Sequence, residues 1–98
     1  MELVWTRTAL ARLDEIADYI AADSPEAAKR WIARLRARAE KAAFMPQAGR
    51  MVPECGLPNV REVFERTYRI IYRVGDDAIF VLTVFDGRRL LRFDELER

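Results

Sequence analysis

One stretch near the carboxyl end constrains the fold more than any other, because residues 79–85 are apolar at every position except Thr83. A short apolar run of this kind, bounded by turn residues, is typical of a strand that is buried on both faces. Residues 75–77, Gly-Asp-Asp, precede it as a turn, and the segment before them, Tyr68–Val74, alternates in character. A further alternating segment is Val60–Glu65. The sequence therefore predicts three consecutive strands joined by hairpins, with the last strand central in the sheet.

Two amphipathic helices are predicted before these strands. Apolar residues recur at spacings of three and four over about residues 8–22, which indicates a helix with Thr8 as its N-cap. Ser24 is the predicted N-cap of the second helix and Pro25 its first residue, and this helix is expected to end near Phe44. Because the connection between the helices is so short, they should form an antiparallel hairpin.

The element order predicts an α+β fold. With a first strand at Leu3–Trp5, the order is β-α-α-β-β-β, and the helical hairpin is expected to pack on one face of a small, mostly antiparallel four-stranded sheet. All 98 residues suit one domain with a charged tail from about residue 90 to 98. Residues 46–59 form a long loop rich in proline and glycine, and such loops often carry function. The aromatic residues predicted to pack in the core are Trp5, Trp31 and Phe44.

Composition excludes several classes of site. The chain has 17 Lys and Arg against 16 Asp and Glu, a formal net charge of +1, which argues against strong nucleic-acid binding by the whole surface but leaves room for a local basic patch. There is no histidine, which excludes histidine metal sites and Ser–His or Cys–His nucleophile pairs. Cys55 is the single cysteine, so no intrachain disulfide is possible. With no secretory signal or membrane-length apolar run, we expect a cytoplasmic protein without metal or cofactor.

Arginines on one face of the predicted sheet are the main candidates for a binding site. In the strand 68–74, Tyr68 and Tyr72 share one face, and Arg69 and Arg73 share the other. We expect the helical hairpin to cover the tyrosines, which leaves the arginines on an open face. Converging guanidinium groups would bind an anion or phosphate there, whereas the alternative is a solvated face on which arginine stems cover apolar surface. The predicted target-binding residues are Arg61, Arg69, Arg73, Arg88 and Arg89.

Other charged residues allow two interpretations. Glu54, Glu62 and Glu65 are the carboxylates nearest these arginines in sequence, and each would serve either as a general base or, more often, as a salt-bridge partner. On the second helix, basic residues lie on one outer flank. They are Arg30, Arg34, Arg38 and Lys41.

Several segments, in this order and spacing, resemble the RelE/ParE superfamily of toxin–antitoxin toxins, also called plasmid stabilisation proteins. The similarity covers about residues 3–89. The segments that carry it are Trp5-Thr6-Arg7-Thr8-Ala9, Leu13-Asp14-Glu15-Ile16-Ala17-Asp18-Tyr19-Ile20, Pro46-Gln47-Ala48-Gly49-Arg50, Val60-Arg61-Glu62, Tyr68-Arg69-Ile70-Ile71-Tyr72-Arg73-Val74 and Val84-Phe85-Asp86-Gly87-Arg88-Arg89.

The resemblance implies a bacterial or archaeal toxin that inhibits growth and is neutralised by an antitoxin encoded beside it. In this superfamily the antitoxin wraps the toxin, often with a helix across the helical hairpin and a strand along the sheet. A toxin–antitoxin hetero-oligomer or a homodimer is compatible with that mode. The residues expected to contact the antitoxin are Leu13, Ile16, Ile20, Trp31 and Leu35.

The superfamily has two branches with different targets. ParE-like members block DNA gyrase, whereas RelE-like members cut mRNA in the ribosomal A site. The RelE pattern implies Arg69, Arg88 and Glu54 as catalytic residues, but Asp86 stands where many relatives have His, and Phe93 lies where a late Tyr falls. Because RNA cleavage needs groups that accept and donate protons, the sequence favours a ParE-like toxin. The alternatives are a ribosome-dependent mRNA endonuclease and a non-toxic antitoxin-binding module.

Overall fold

A computed structural model describes residues 1–88 and 93–96 of the chain. The elements are β1 (Glu2–Trp5), α1 (Arg7–Ala21), α2 (Pro25–Phe44), a 3-10 helix (Pro46–Ala48), β2 (Arg50–Met51), β3 (Val60–Glu65), β4 (Tyr68–Val74), β5 (Ala78–Asp86) and a second 3-10 helix (Phe93–Leu96). The predicted α+β class and element order are confirmed. The sheet has five strands rather than four, because the predicted loop contains the two-residue strand β2, which pairs with β3.

The strand order in the sheet is β1-β5-β4-β3-β2. β1 is parallel to β5, and the other neighbours are antiparallel. β5 lies between β1 and β4, and seven of its nine residues are buried. The prediction of a central strand is therefore confirmed, and the physical reason is that its apolar residues face a core on each side of the sheet.

The two helices begin at capped residues. The α1 cap is Thr6 rather than the predicted Thr8, because Thr6 is the residue with extended backbone, and its hydroxyl accepts from the Ala9 amide at 3.2 Å. The same hydroxyl donates to the Val81 carbonyl at 2.7 Å, which ties the start of α1 to β5. The predicted start of α2 is confirmed. The Ser24 hydroxyl accepts from the amide of residue 27, and Pro25 is the first residue of the helix.

The helical hairpin covers the tyrosine side of β4, as predicted. Tyr72 is fully buried there, and Tyr68 packs at the margin, where its ring meets that of Trp31 edge to face at 5.4 Å. The buried residues of this first core are Ala9, Leu13, Leu35, Ala39, Ala42, Ala43, Val63, Ile70, Tyr72, Ile79, Val81 and Val84.

Of the three aromatic residues predicted in the core, Trp5 and Trp31 are partly buried against the first core, but Phe44 is 87% exposed. The prediction for Phe44 is wrong. At 100° per residue, Phe44 points away from the buried stripe of α2 that contains Leu35 and Ala39.

The opposite face of the sheet is covered as well, which corrects the prediction of an open face. A second core holds Val52 from the loop, Ile71 from β4 and Leu82 from β5. The loop after β2 folds over this face, and Leu96 of the second 3-10 helix packs against it. The apolar side chains on this face need cover, and the loop supplies it. The rest of the predicted tail, residues 90–92 and 97–98, lies outside the described residues, as does residue 89.

Candidate functional site

Arg69 lies at the centre of a buried ion cluster on the second face of the sheet. Its Nε donates to Glu62 Oε1 at 2.6 Å, and its Nη1 and Nη2 donate to the two carboxylate oxygens of Glu54 at 2.7 and 2.9 Å. The side of the sheet is the predicted one, but Arg69 is only 7% exposed, so the prediction of an accessible guanidinium is wrong. The loop that carries Glu54 closes over it.

Glu62 and Arg50 complete this cluster. Glu62 is on β3, its side chain is fully buried, and it also accepts from Arg50 Nε at 2.5 Å. The Arg69 guanidinium carbon lies 5.3 Å from the centre of the Phe85 ring. The buried ion cluster is named for its two buried members, Arg69 and Glu62, and also includes the more exposed Glu54 and Arg50. No buried side-chain polar atom of residues 1–88 and 93–96 lacks a hydrogen-bond partner.

The ion pairs change the chemistry of the Glu54 carboxylate. Its hydrogen bonds from Arg69 lower the pKa of Glu54 to about 2, and the same contact raises the pKa of the Arg69 guanidinium. A general base works best when its pKa is near the operating pH. Glu54 is therefore a weak proton acceptor at neutral pH. Its contacts are those of a salt-bridge partner rather than those of a general base.

Arg88 lies at a different place, beside a cavity of about 600 Å³ between α1 and the ends of β4 and β5. Its exposed side chain pairs with Asp86, with Nε and Oδ1 3.0 Å apart. The pKa of the nearby Tyr68 hydroxyl is raised, first by burial and then by the charge of Asp86. The cavity lining comprises Arg12, Glu15, Ile16, Tyr19, Ile20, Trp31, Arg66, Thr67, Tyr68, Val84, Phe85, Asp86 and Arg88.

Of the five predicted target-binding arginines, the four that the structure describes do not converge. Arg61 donates to the carbonyls of residues 49 and 58, and the Arg73 guanidinium lies 4.5 Å from the centre of the Phe80 ring. Arg69 is in the buried ion cluster, Arg88 is at the cavity, and Arg89 lies outside the described residues. Of the predicted catalytic residues, the structure brings Glu54 and Arg69 together and leaves Arg88 apart.

The predicted antitoxin contacts divide into two groups. Leu13 and Leu35 are buried in the first core and cannot contact a partner, because they point inward from the helix stripe toward the sheet. Ile16, Ile20 and Trp31 are partly exposed and all line the cavity. The apolar stripe predicted from spacing thus contains both core residues and accessible ones.

Some residues of the two sites were not singled out from the sequence. The cavity residues Arg12 and Tyr19 lie on the polar side of α1. Helical periodicity alone does not distinguish a residue that lines a cavity from one that faces solvent. Arg12 pairs with Glu95 of the second 3-10 helix at 2.8 Å, and Glu95 also accepts from Thr83 at 2.7 Å. No local pattern signals such long-range pairs. Within residues 1–88 and 93–96 no group of acidic or sulfur side chains has the arrangement of a metal site, and no helix suits a membrane span.

Comparison with known proteins agrees with this fold. The family described as the ParE toxin of the type II toxin–antitoxin system parDE matches residues 3–91. The chain is 37% identical over 90 residues to the Caulobacter vibrioides protein "Toxin RelE2", a match that covers 91% of this chain and 98% of that protein. It is 39% identical over 87 residues to "Putative toxin Y4kP" of Sinorhizobium fredii, covering 87% and 86%.

A solved structure described as the chromosomal ParDE TA system from P. aeruginosa superposes with a TM-score of 0.71 and 30% sequence identity. The superposition covers 86% of this chain and 92% of that one. Residues 3–91, which the family matches, include both helices and nearly all of the sheet, and the relatives are matched over most of their own length. The chain therefore belongs to the ParE toxin family and is the toxin of a type II toxin–antitoxin system, a class that implies a cognate antitoxin as partner.

Proposed function

We propose that this toxin inhibits growth in the cytoplasm by binding and blocking DNA gyrase, in the ParE-like manner, and that it does not cut RNA. The family match and the ParDE structural similarity support the ParE-like branch. The observation that carries the proposal is the ion pair between Arg69 and Glu54, because it engages the two groups that a RelE-like nuclease would need free.

The chemistry of RNA cleavage requires one group to take the proton of the 2′-hydroxyl and another to protonate the leaving oxygen. Glu54, with a pKa of about 2, holds its proton too weakly for the first task. Arg69 is buried, and a guanidinium stays protonated at all working pH values, so it stabilises charge without transferring a proton. The chain has no histidine to replace them.

The accessible site on this molecule suits binding rather than catalysis. The cavity combines apolar side chains, such as Ile16 and Trp31, with charged groups at its margin, such as Arg88 and Asp86. Protein interfaces concentrate their binding energy where an aromatic or arginine side chain fits such a pocket. We infer that a partner side chain enters the cavity and that Arg88 contributes to the contact.

Two assays on the purified toxin separate the candidates. We expect inhibition of gyrase-catalysed supercoiling at near-stoichiometric toxin, and intact mRNA after incubation with programmed ribosomes. Arg88→Ala should weaken gyrase inhibition roughly tenfold or more, as expected for the loss of an interface arginine worth more than about 1.4 kcal/mol. Arg7→Ala is the matched control, since it removes the same charge from an exposed position outside the cavity.

Ribosome-dependent cuts in the mRNA would contradict the proposal and support the endonuclease alternative, and Glu54→Gln should then abolish cleavage. A third outcome is the absence of growth arrest on induction, together with retained antitoxin binding. That result would replace the proposal with a non-toxic antitoxin-binding module.

A further inference from the structure

The outer flank of α2 carries a straight row of positive charges that the proposed function does not use. Arg30, Arg34, Arg38 and Lys41 follow each other at spacings of four, four and three residues, which places them on one side of the helix. With a rise of 1.5 Å per residue, the row is about 16 Å long. Arg30, Arg34 and Lys41 are exposed, and Arg38 is partly exposed.

Contacts with β3 fix the orientation of this row. Arg34 pairs with Glu65 at 2.6 Å, and Arg38 Nε donates to the Phe64 carbonyl at 3.2 Å. Arg61 of β3 is assigned to the same surface because it is the register partner of Tyr72, whose side chain packs under the helices, so that Arg61 lies on the helix side of the sheet. We call this surface the basic ridge. Its members are Arg30, Arg34, Arg38, Lys41 and Arg61.

The ridge is strongly positive although the chain is nearly neutral. Its five positive charges are accompanied by the negative charges of Glu65 and Glu26, a net charge of +3 (5 − 2), whereas the whole chain has a formal net charge of +1. The remainder of the chain is therefore net negative. Glu26 lies one turn before Arg30, at the amino end of α2, and forms no ion pair with it among the described residues. Such a charge separation creates a local field that attracts a polyanion.

The composition of the ridge favours nucleic acid over a protein partner. Protein interfaces deplete charge at their centre and bury aromatic or aliphatic anchors. Between the cations of the ridge the exposed residue is Ala37. The nearby aromatic side chains lie at its margin, where the Arg34 guanidinium carbon is 4.4 Å from the centre of the Trp31 ring and the exposed Phe44 follows Lys41 by one turn. Protein–DNA interfaces are, by contrast, polar and positively charged.

The shape of the ridge favours a duplex. B-form DNA has phosphates along both edges of a major groove about 12 Å wide, so a row about 16 Å long can reach phosphates on both strands across the groove. A helix held against the sheet keeps this row straight. Three of the four α2 cations are arginines, whose planar forks bind phosphate oxygens in pairs. We propose that the basic ridge binds the phosphate backbone of duplex DNA without reading its base sequence.

Fluorescence anisotropy of a labelled duplex of arbitrary sequence, titrated with the antitoxin-free toxin and without gyrase, tests the proposal. We expect binding at 50 mM salt and a slope of log K against log salt of about −4, because each neutralised phosphate contributes about −0.9. Arg30→Gln/Lys41→Gln should weaken binding and make the slope less steep by about 2. Both residues are exposed, and a thermal melt checks that the variant folds as the wild type does.

Arg7→Gln/Lys29→Gln is the matched control, since it removes two exposed charges from α1 and from the opposite flank of α2. Its slope should equal that of the wild type. Equal losses in the two double variants would overturn the proposal, as would an absence of binding at 50 mM salt. Stronger competition by duplex RNA or by polyglutamate than by unlabelled duplex DNA would also overturn it, by assigning the ridge to RNA or to an acidic protein. Because gyrase is absent, the result is independent of the supercoiling assay.

Discussion

Replacing Arg69 by alanine tests the buried ion cluster, because this one side chain neutralises two carboxylates. Without it, the fully buried Glu62 keeps Arg50 as its one ion-pair partner among the described residues, and the Arg50 side chain is 58% exposed. Glu54 is less affected, since its side chain is 35% exposed and water can replace part of the lost contact. The main cost is therefore an incompletely paired charge at Glu62, inside the protein.

The expected loss is large for a domain of this size. Removing one partner of a buried ion pair costs about 3–5 kcal/mol of the free energy of unfolding, and a domain of this size has about 5–15 kcal/mol in total. The midpoint of thermal unfolding should fall by at least roughly 12 °C. Arg69→Lys keeps the charge but loses the fork that reaches both carboxylates, so we expect an intermediate loss of about 1–3 kcal/mol.

Urea unfolding, followed by the fluorescence of Trp5 and Trp31, measures these losses. The informative control is Arg69→Met/Glu62→Leu, which replaces both buried charges with apolar side chains next to Phe85. It should recover most of the stability lost in Arg69→Ala, because no buried charge is left unpaired. A loss below about 1 kcal/mol in Arg69→Ala would refute the reasoning. It would mean that Arg69 is solvated and that the loop does not close over it.

Two further predictions concern the same loop region. Because the pKa of Glu54 is depressed to about 2, its pairing with Arg69 adds stability that is fully present above pH 5 and is lost as the pH falls toward 2. Urea unfolding as a function of pH should show a difference of about 1–2 kcal/mol between the wild type and Glu54→Gln at pH 7, after discounting for exposure, and almost none at pH 2. Gly49→Ala should cost about 1–3 kcal/mol in the same assay, because the new methyl group would lie 2.2 Å from the Tyr72 hydroxyl. An unchanged midpoint for Gly49→Ala would contradict that contact.

The sequence by itself determined the features that depend on local periodicity. The apolar run of β5, the alternation of β4 and the Ser24–Pro25 start of α2 each gave the correct element, since backbone geometry repeats every 2 or 3.6 residues. The tyrosine face of β4 was also predicted correctly, because alternation divides a strand into two faces before any packing is known. The family resemblance followed from the same segments.

Only the tertiary structure decided what covers each face. Alternation places Arg69 opposite the tyrosines but does not say that the loop after β2 folds over it, because that contact joins residues that are 15 positions apart. Phe44 is the opposite case, a residue predicted to be buried that is exposed. It lies at the end of α2, and its position around the helix axis points its side chain away from the sheet. Which residues are buried depends on how the whole chain packs. Covering the apolar side chains of Ile71 and Leu82 is favourable, and this free energy holds the loop after β2 against the sheet. Because the loop after β2 covers this face of the sheet, Arg69, which was predicted to bind a target, lies in the interior of the protein.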